Sequence, residues 1–274
     1  MPNRRTGDER IEMLARFRRV FAVSRRFLLV STVATLGLTA GLTQPDPPVS
    51  AAGSEASDDK ELDPREAAGL EHEGQNKLKQ LVLAMHNYHD VHGHFPSAVV
   101  IGPDGKTPHS WRVELLPFLD ELKLYNQYRL NEPWDSPHNQ VVLRNMPEVF
   151  RSPFADEKST NSSFYAFVGR GTIFDGTKAL AIQEITDGTS NTLMFVEAKR
   201  AIPWTQPADI PFDPAKPVPQ IGGSVKGHFA AACADGSCRI FRFEDFKGDQ
   251  LKWAIMRNDG HRFELPRGVR PTRN

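Results

Sequence analysis

The chain is poor in cysteine, carries no surplus of either charge and contains few of the motifs on which enzymes are usually recognised. Only 2 of its 274 residues are Cys, which excludes a disulfide-dense scaffold. Lys and Arg total 34 against 34 Asp and Glu, so no basic excess speaks for nucleic acid, and that partner is set aside. There is no HExxH helix for zinc. Gly102-Pro103-Asp104-Gly105-Lys106-Thr107 has too few residues between its glycines to wrap a phosphate, and Pro103 removes an amide donor. Gly169-Arg170-Gly171 lacks the third glycine of a dinucleotide fingerprint, and Gly222-Gly223-Ser224-Val225 lacks the closing glycine of a hydrolase elbow. No catalytic residue is assigned, and the expectation is a protein that is not an enzyme. With 21 Pro and 20 Gly the chain is rich in turns, which excludes long helical bundles.

The N-terminal region reads as an address. Arginines are frequent up to Arg25 and Arg26, and Phe27 to Thr43 then holds no charged residue. This is the order of a basic n-region and an apolar h-region. As a helix the apolar run spans roughly 25 Å, short of a hydrocarbon core of about 30 Å, which favours a cleaved signal over an anchor. Val49-Ser50-Ala51 supplies small residues for cleavage between Ala51 and Ala52. Ser24-Arg25-Arg26-Phe27-Leu28-Leu29 resembles a twin-arginine export signal, although any membrane-engaging segment has such a positive flank. Either route leads out of the cytoplasm: periplasmic, secreted, or held at the membrane if the segment stays.

The chain then divides into an export signal or anchor at 1–51, an acidic linker at 52–62, a folded domain at 63–258 and a basic C-terminal tail at 259–274. Asp63, Pro64 and Glu66 form a helix-start signature. Leu70, Leu78, Leu81, Val82 and Met85 give its apolar face, and Gly93 ends it. A second helix is expected from Pro117 to Tyr128 and a short closing one from Leu251 to Met256. Phe164 to Val168, Ala179 to Ile185, Thr192 to Ala198 and Phe229 to Phe243 read as strands of a mostly antiparallel sheet. Pro203 to Pro219 holds six prolines and reads as an extended surface loop.

His86-Asn87-Tyr88-His89-Asp90, Ser110-Trp111-Arg112-Val113, Leu116-Pro117-Phe118-Leu119, Asn131-Glu132-Pro133-Trp134-Asp135 and Ile185-Thr186-Asp187-Gly188-Thr189 carry a resemblance, over roughly residues 65 to 258, to a planctomycete family. Its members are secretion-pseudopilin-like, type II secretion or prepilin-related domains of unknown function. The resemblance implies an α+β, pilin-like fold with an N-terminal helix on a mostly antiparallel sheet and long Pro-rich loops, and no known catalysis. The chain departs from the family in two places. No Glu follows Phe27-Leu28-Leu29 and Pro45 to Pro48 interrupt the run, which speaks against filament assembly. In the C-terminal motif, His228 precedes Asp235-Gly236 by fewer residues than family members show.

Three sites stand as candidates. His86 and His89, three apart on one helix face, offer two imidazoles to a metal, against ordinary helix-to-sheet hydrogen bonding. Asp187 and Asn191 offer oxygens to calcium, which pseudopilins as a class can carry, against a hairpin turn at Asp187-Gly188. Cys233 and Cys238 flank Asp235-Gly236; a two-residue turn there would set the sulfurs opposite each other as a disulfide, against two free thiols. The leading expectation is a structural or interaction protein of the cell envelope, meeting envelope proteins or surface polymers. The alternative is a module binding calcium, another metal or a glycan, with Trp134 or Trp204 as a stacking surface. An extracytoplasmic hydrolase built from scattered residues is the third reading.

Overall fold

The structure, a computed structural model, describes residues 64–261 and 263–269, all of which lie in one unit, residues 63–274. The apolar run, the cleavage site Ala51/Ala52 and the acidic linker lie outside the described residues. Helix α1 runs over Pro64–His92, with Pro64 in its first turn, Glu66 near its N-terminus, and His89 and His92 in its last turn. The Glu66 carboxylate near the N-terminus complements the helix dipole. The helix stops at Gly93, whose amide returns to the His89 carbonyl at 2.7 Å. Leu78, Leu81, Val82 and Met85 are fully buried, a single stripe at helical spacing.

That stripe lies on a four-stranded antiparallel sheet of β3 (Phe164–Tyr165), β5 (Leu193–Glu197), β7 (His228–Cys233) and β8 (Cys238–Arg242), in the order 3-5-7-8. Strand β7 explains the fit. Ala230 and Ala232 face the helix and let it approach closely, while Phe229, Ala231 and Cys233 point to the opposite face. There they meet Ala254 and Ile255 of helix α5 (Gln250–Ile255), together with Ile210, Phe212 and Leu265. The sheet is thus covered on both sides. The elements β1 (Val99–Ile101) and β2 (Pro108–Ser110) form a separate hairpin, closed by a turn at Gly102-Pro103-Asp104-Gly105. Helices α2 (Trp111–Leu115), α3 (Leu122–Gln127) and α4 (Asn139–Leu143) are short. β4 (Phe167–Val168) and β6 (Ile210–Pro211) form a parallel pair.

The chain is therefore α+β, with its N-terminal helix on an antiparallel sheet. Local expectations fare unevenly. The helix expected from Pro117 to Tyr128 is split: a 3-10 turn over Leu116–Leu119 closes at Asp120, which takes a left-handed conformation before α3 starts. Ala179 to Ile185 is no strand. It makes one bridge, Leu180 to Phe95, and then a 3-10 turn over Ile182–Glu184 that the Glu184 carboxylate ties back to the Ala181 amide.

The Pro-rich segment is the largest correction. Its first half, Trp204 to Phe212, is core. Trp204 and Ile210 are fully buried, and the Trp204 indole donates to the Leu143 carbonyl at 2.8 Å while stacking on Phe150. Asp209 binds the buried Arg112 guanidinium through both carboxylate oxygens, at 2.7 and 3.1 Å, and accepts from the Trp111 indole and the Ala166 amide. Arg112 spends its other donors on Ser162, Ser110 and the Phe164 carbonyl. An ion pair out of water persists only where its remaining donors and acceptors are met. This one straps the Pro-rich chain to the body. Proline density signals the missing amides correctly but carries no information about burial.

The expected disulfide is also corrected. Cys233 donates its amide to Ser237, Gly236 donates to the Cys233 carbonyl, and Ala232 rather than Cys233 stands opposite Cys238. The loop therefore has three residues, with Gly236 at φ +88°. One residue of slip turns a side chain to the other face. Cys233 enters the far core, Cys238 packs on the helix side, and both thiols are free.

Residues 259–261 and 263–269, expected as part of a basic tail, pack along the domain. Leu265 is buried, and the Val269 amide donates to Ile240 on the outer edge of β8.

Candidate functional site

A buried charge that no sequence motif marks is Glu197, the last residue of β5. It is 7 % exposed. One carboxylate oxygen accepts from the hydroxyls of both Ser152 and Ser224, each at 2.6 Å. Ser152 arrives from the 3-10 turn over Glu148–Phe150, while Ser224 is delivered by Gly222-Gly223. The chain there makes a parallel bridge just past the end of β5, with the Gly222 amide on the Glu197 carbonyl at 2.7 Å. A Cβ on Gly222 would stand 2.6 Å from the His228 carbonyl oxygen, so only glycine permits the approach. The double glycine thus serves strand packing and builds no hydrolase elbow.

Glu71 of α1 and His228 of β7 line the same enclosed space as Glu197, together with Phe154, Val225 and Ile240. About 10 Å³ is left free, room for one water at most. Burial raises the Glu71 carboxyl above its ordinary range; His228 pulls it down and Glu197 pushes it up. The His228 imidazole meets the Lys226 carbonyl at 3.2 Å, and no hydrogen bond joins it to Ser152 or Ser224 among the described residues. Both serine hydroxyls are held as donors to the Glu197 carboxylate, and the His228 ring takes no part in that pairing.

Ser152 and Phe154 also border an open cleft of about 480 Å³. Its walls are the loop from Ser152 to Ser163 and residues Ala198 to Ala201 beyond β5, with Ser224 at one side. The walls are held by backbone bonds: Ser163 donates to Phe150, and Ala198 to Ser163. Hydroxyls, the Asn161 amide, Asp156, Lys199 and Arg200 face it.

The residues singled out from sequence are dispersed. The His86 imidazole bonds the Ala234 carbonyl at 2.8 Å, while His89 accepts the Ile182 amide at 3.2 Å. Burial lowers the His89 pKa, as suits an acceptor. The pair docks α1 onto two separate loops. Asp187 accepts the amides of Asp259 at 2.6 Å and Gly260 at 3.1 Å, and Thr189 and Thr192 carbonyls take the Asp235 and Ala234 amides. The Asp187 segment leads from a 3-10 turn into β5, so it joins the C-terminal segment to the hairpin and is no hairpin turn itself. Asn191 closes this turn through its amide on the Gly188 carbonyl. Among the described residues no group of three or more His, Cys, Asp or Glu is placed to hold a metal ion.

His228 and Asp235 lie at opposite ends of β7, roughly 20 Å apart along the strand. Asp235 caps its own turn by accepting the Ser237 amide. They form no joint site. Trp204 is wholly inside and offers no stacking surface; Trp134 is half-buried. The one signal that could have pointed to Glu197 is a carboxylate closing an otherwise apolar strand, Leu193-Met194-Phe195-Val196, since a buried charge there needs donors.

Fold and site together define a helix-on-sheet α+β domain with a serine-rich cleft beside a buried glutamate. Residues 65–180 match the model of a family described as a protein of unknown function, DUF1559. The matched part runs from α1 to Leu180, so it includes Arg112 and Ser152 and stops before Glu197 and His228. No curated protein and no solved structure matches the chain.

Proposed function

We propose that the protein acts outside the cytoplasm as a non-enzymatic interaction module of the cell envelope, meeting envelope proteins or surface polymers. The observation that carries this reading is the exposed stretch from Asp213 to Pro217, projecting from a base pinned by the buried Asp209, Ile210 and Phe212. Prolines leave such a loop little conformational freedom to lose on contact, so a partner meets a pre-shaped surface. The sequence supports the location: a basic segment followed by the uncharged run Phe27 to Thr43 is the order of an export signal. The resemblance to secretion-pseudopilin-like domains supports an envelope setting. No helix among the described residues is long and apolar enough to cross a membrane.

N-terminal sequencing of the protein recovered from fractionated native cells tests the location. A start at Ala52 in an envelope or secreted fraction is expected; a start at Phe27 would instead indicate prepilin-type processing. An intact chain in the cytosol would overturn the proposal. Replacement of Pro214 and Pro217 by Ser is expected to weaken capture of the full chain by isolated envelopes about tenfold, read by sedimentation. Turnover of any substrate in a hydrolase screen would remove the non-enzymatic part.

A further inference from the structure

The cleft beside Glu197 holds an unusual stock of uncommitted polar groups. The Asn161 side-chain amide, the Ser163 hydroxyl and the Lys199 ammonium make no hydrogen bond or ion pair with other described residues, although all three line it. Ser159 accepts the Asn161 amide nitrogen of the backbone and keeps its own proton to give. Arg200 spends one guanidinium nitrogen on the Gln220 carbonyl at 2.7 Å, while its Nε is buried without a partner. A buried donor left unpaired is disfavoured unless something fills the need.

The acceptors are sorted as clearly as the donors. Ser152 and Ser224 give their protons to Glu197, so toward a ligand their oxygens can only accept. Asp156 uses one carboxylate oxygen on the Lys158 amide and keeps the other. The cleft thus presents both donors and acceptors, with Lys199 and Arg200 as cations and Phe154 as an apolar residue in its lining. At about 480 Å³ it falls within the size of sites that enclose small ligands. A ring carrying several hydroxyls answers such an array, because each hydroxyl both donates and accepts. Lys199 and Arg200 add a demand for a negative group, and Arg is suited to a planar carboxylate.

We propose that this cleft binds an acidic sugar unit of a surface polymer: its ring hydroxyls meet Asn161, Ser159 and Ser163, and its carboxylate meets Lys199 and Arg200. The proposal rests on the polymer-contact reading above and names the ligand class for it. The site is distinct from the Pro-rich loop, so the two surfaces are separable by mutation.

Isothermal titration of the full chain with a galacturonate trimer, a neutral galactose trimer and inorganic phosphate tests it. The uronate is expected to bind, with affinity falling about tenfold or more for the neutral trimer and for Lys199→Ala, which is the loss of one charge-assisted contact. Asn161→Ala is expected to weaken both sugars, and Lys247→Ala, near helix α5, neither. Raised salt must weaken uronate binding to the wild-type chain, a readout that no variant's folding can disturb. Equal binding of both trimers, no binding of the uronate, binding of phosphate as tight as uronate, or an unaffected Lys199→Ala variant each overturns the acidic-sugar assignment. Absence of uronate binding by the wild-type chain, with envelope capture undiminished in Lys199→Ala, removes this site alone. Uronate binding by a chain that proves cytosolic removes the envelope reading instead.

Discussion

The side chain on which most of the packing converges is Arg112. Its guanidinium is wholly out of water, bonded to Asp209, Ser110, Ser162 and the Phe164 carbonyl, and stacked 4.4 Å from the Trp111 ring. Removing one member of a buried pair leaves the other charge uncompensated, which costs about 3–5 kcal/mol. Asp209→Asn is therefore expected to lose that much in urea unfolding, and Ser162→Ala only about 1 kcal/mol. Histidines set the acid limit. Burial lowers the pKa of His109, which sits between the Tyr128 hydroxyl and the Leu130 carbonyl, and of His89. Above the ordinary histidine value of 6.5 both rings are neutral folded or unfolded, and they contribute no slope. As pH falls through that value the unfolded chain takes up protons that the folded one resists, so stability drops. Glu71, raised by burial, works in the opposite direction, since its protonation favours the fold. Melting temperatures between about pH 7 and about pH 5 should show the net fall, with a flatter slope in His109→Gln.

Among the elements, α1 and the β7–β8 hairpin set the architecture, and each has a direct check. Leu81 is buried in the helix stripe and Leu83, two residues on, is 61 % exposed. Leu81→Ala is expected to cost about 2–5 kcal/mol and Leu83→Ala about 0.5 kcal/mol or less, read in the same denaturant series. In the hairpin, burial lifts the Cys233 thiol to about 11 and the Cys238 thiol to about 12. A thiolate, not a thiol, is the reactive form. Neither cysteine should label with a thiol reagent near neutral pH until the chain is denatured, when both should. Intact mass should not rise on reduction. The register behind this was not legible in sequence, because Ala234-Asp235-Gly236 serves a two-residue or a three-residue turn equally well. The choice falls to the sheet, where Ala232 and Ala230 must face α1 together.

The whole domain is closed by segments that sequence patterning treated as peripheral. Asp259 and Gly260 bring two amides to Asp187, Leu265 is buried, and Val269 shields an outer carbonyl of β8. Exposed strand edges invite pairing with other chains, and a covered edge suppresses it. Truncation after Asn258 is expected to lower the melting temperature and to increase the aggregated fraction in size-exclusion chromatography. The Pro-rich strap acts on the opposite side of the same logic: its first half seals the core and its second half remains outside as a surface.

What the amino-acid order determined by itself is local. Helix α1 could be placed from Pro64 to Gly93 because its start, stripe and stop all lie within one stretch, and the strands β5, β7 and β8 because apolar side chains cluster between turn residues. The α+β class, which the family resemblance implied, agrees with those elements. The tertiary structure alone decided which polar residues meet. Arg112 and Asp209 are 97 residues apart, Ser152 and Glu197 are 45 apart, and His86 reaches Ala234 across 148. A carboxylate in a proline-rich stretch looks like any solvated acid until a buried guanidinium needs it, and that need arises only when the sheet has brought distant loops together.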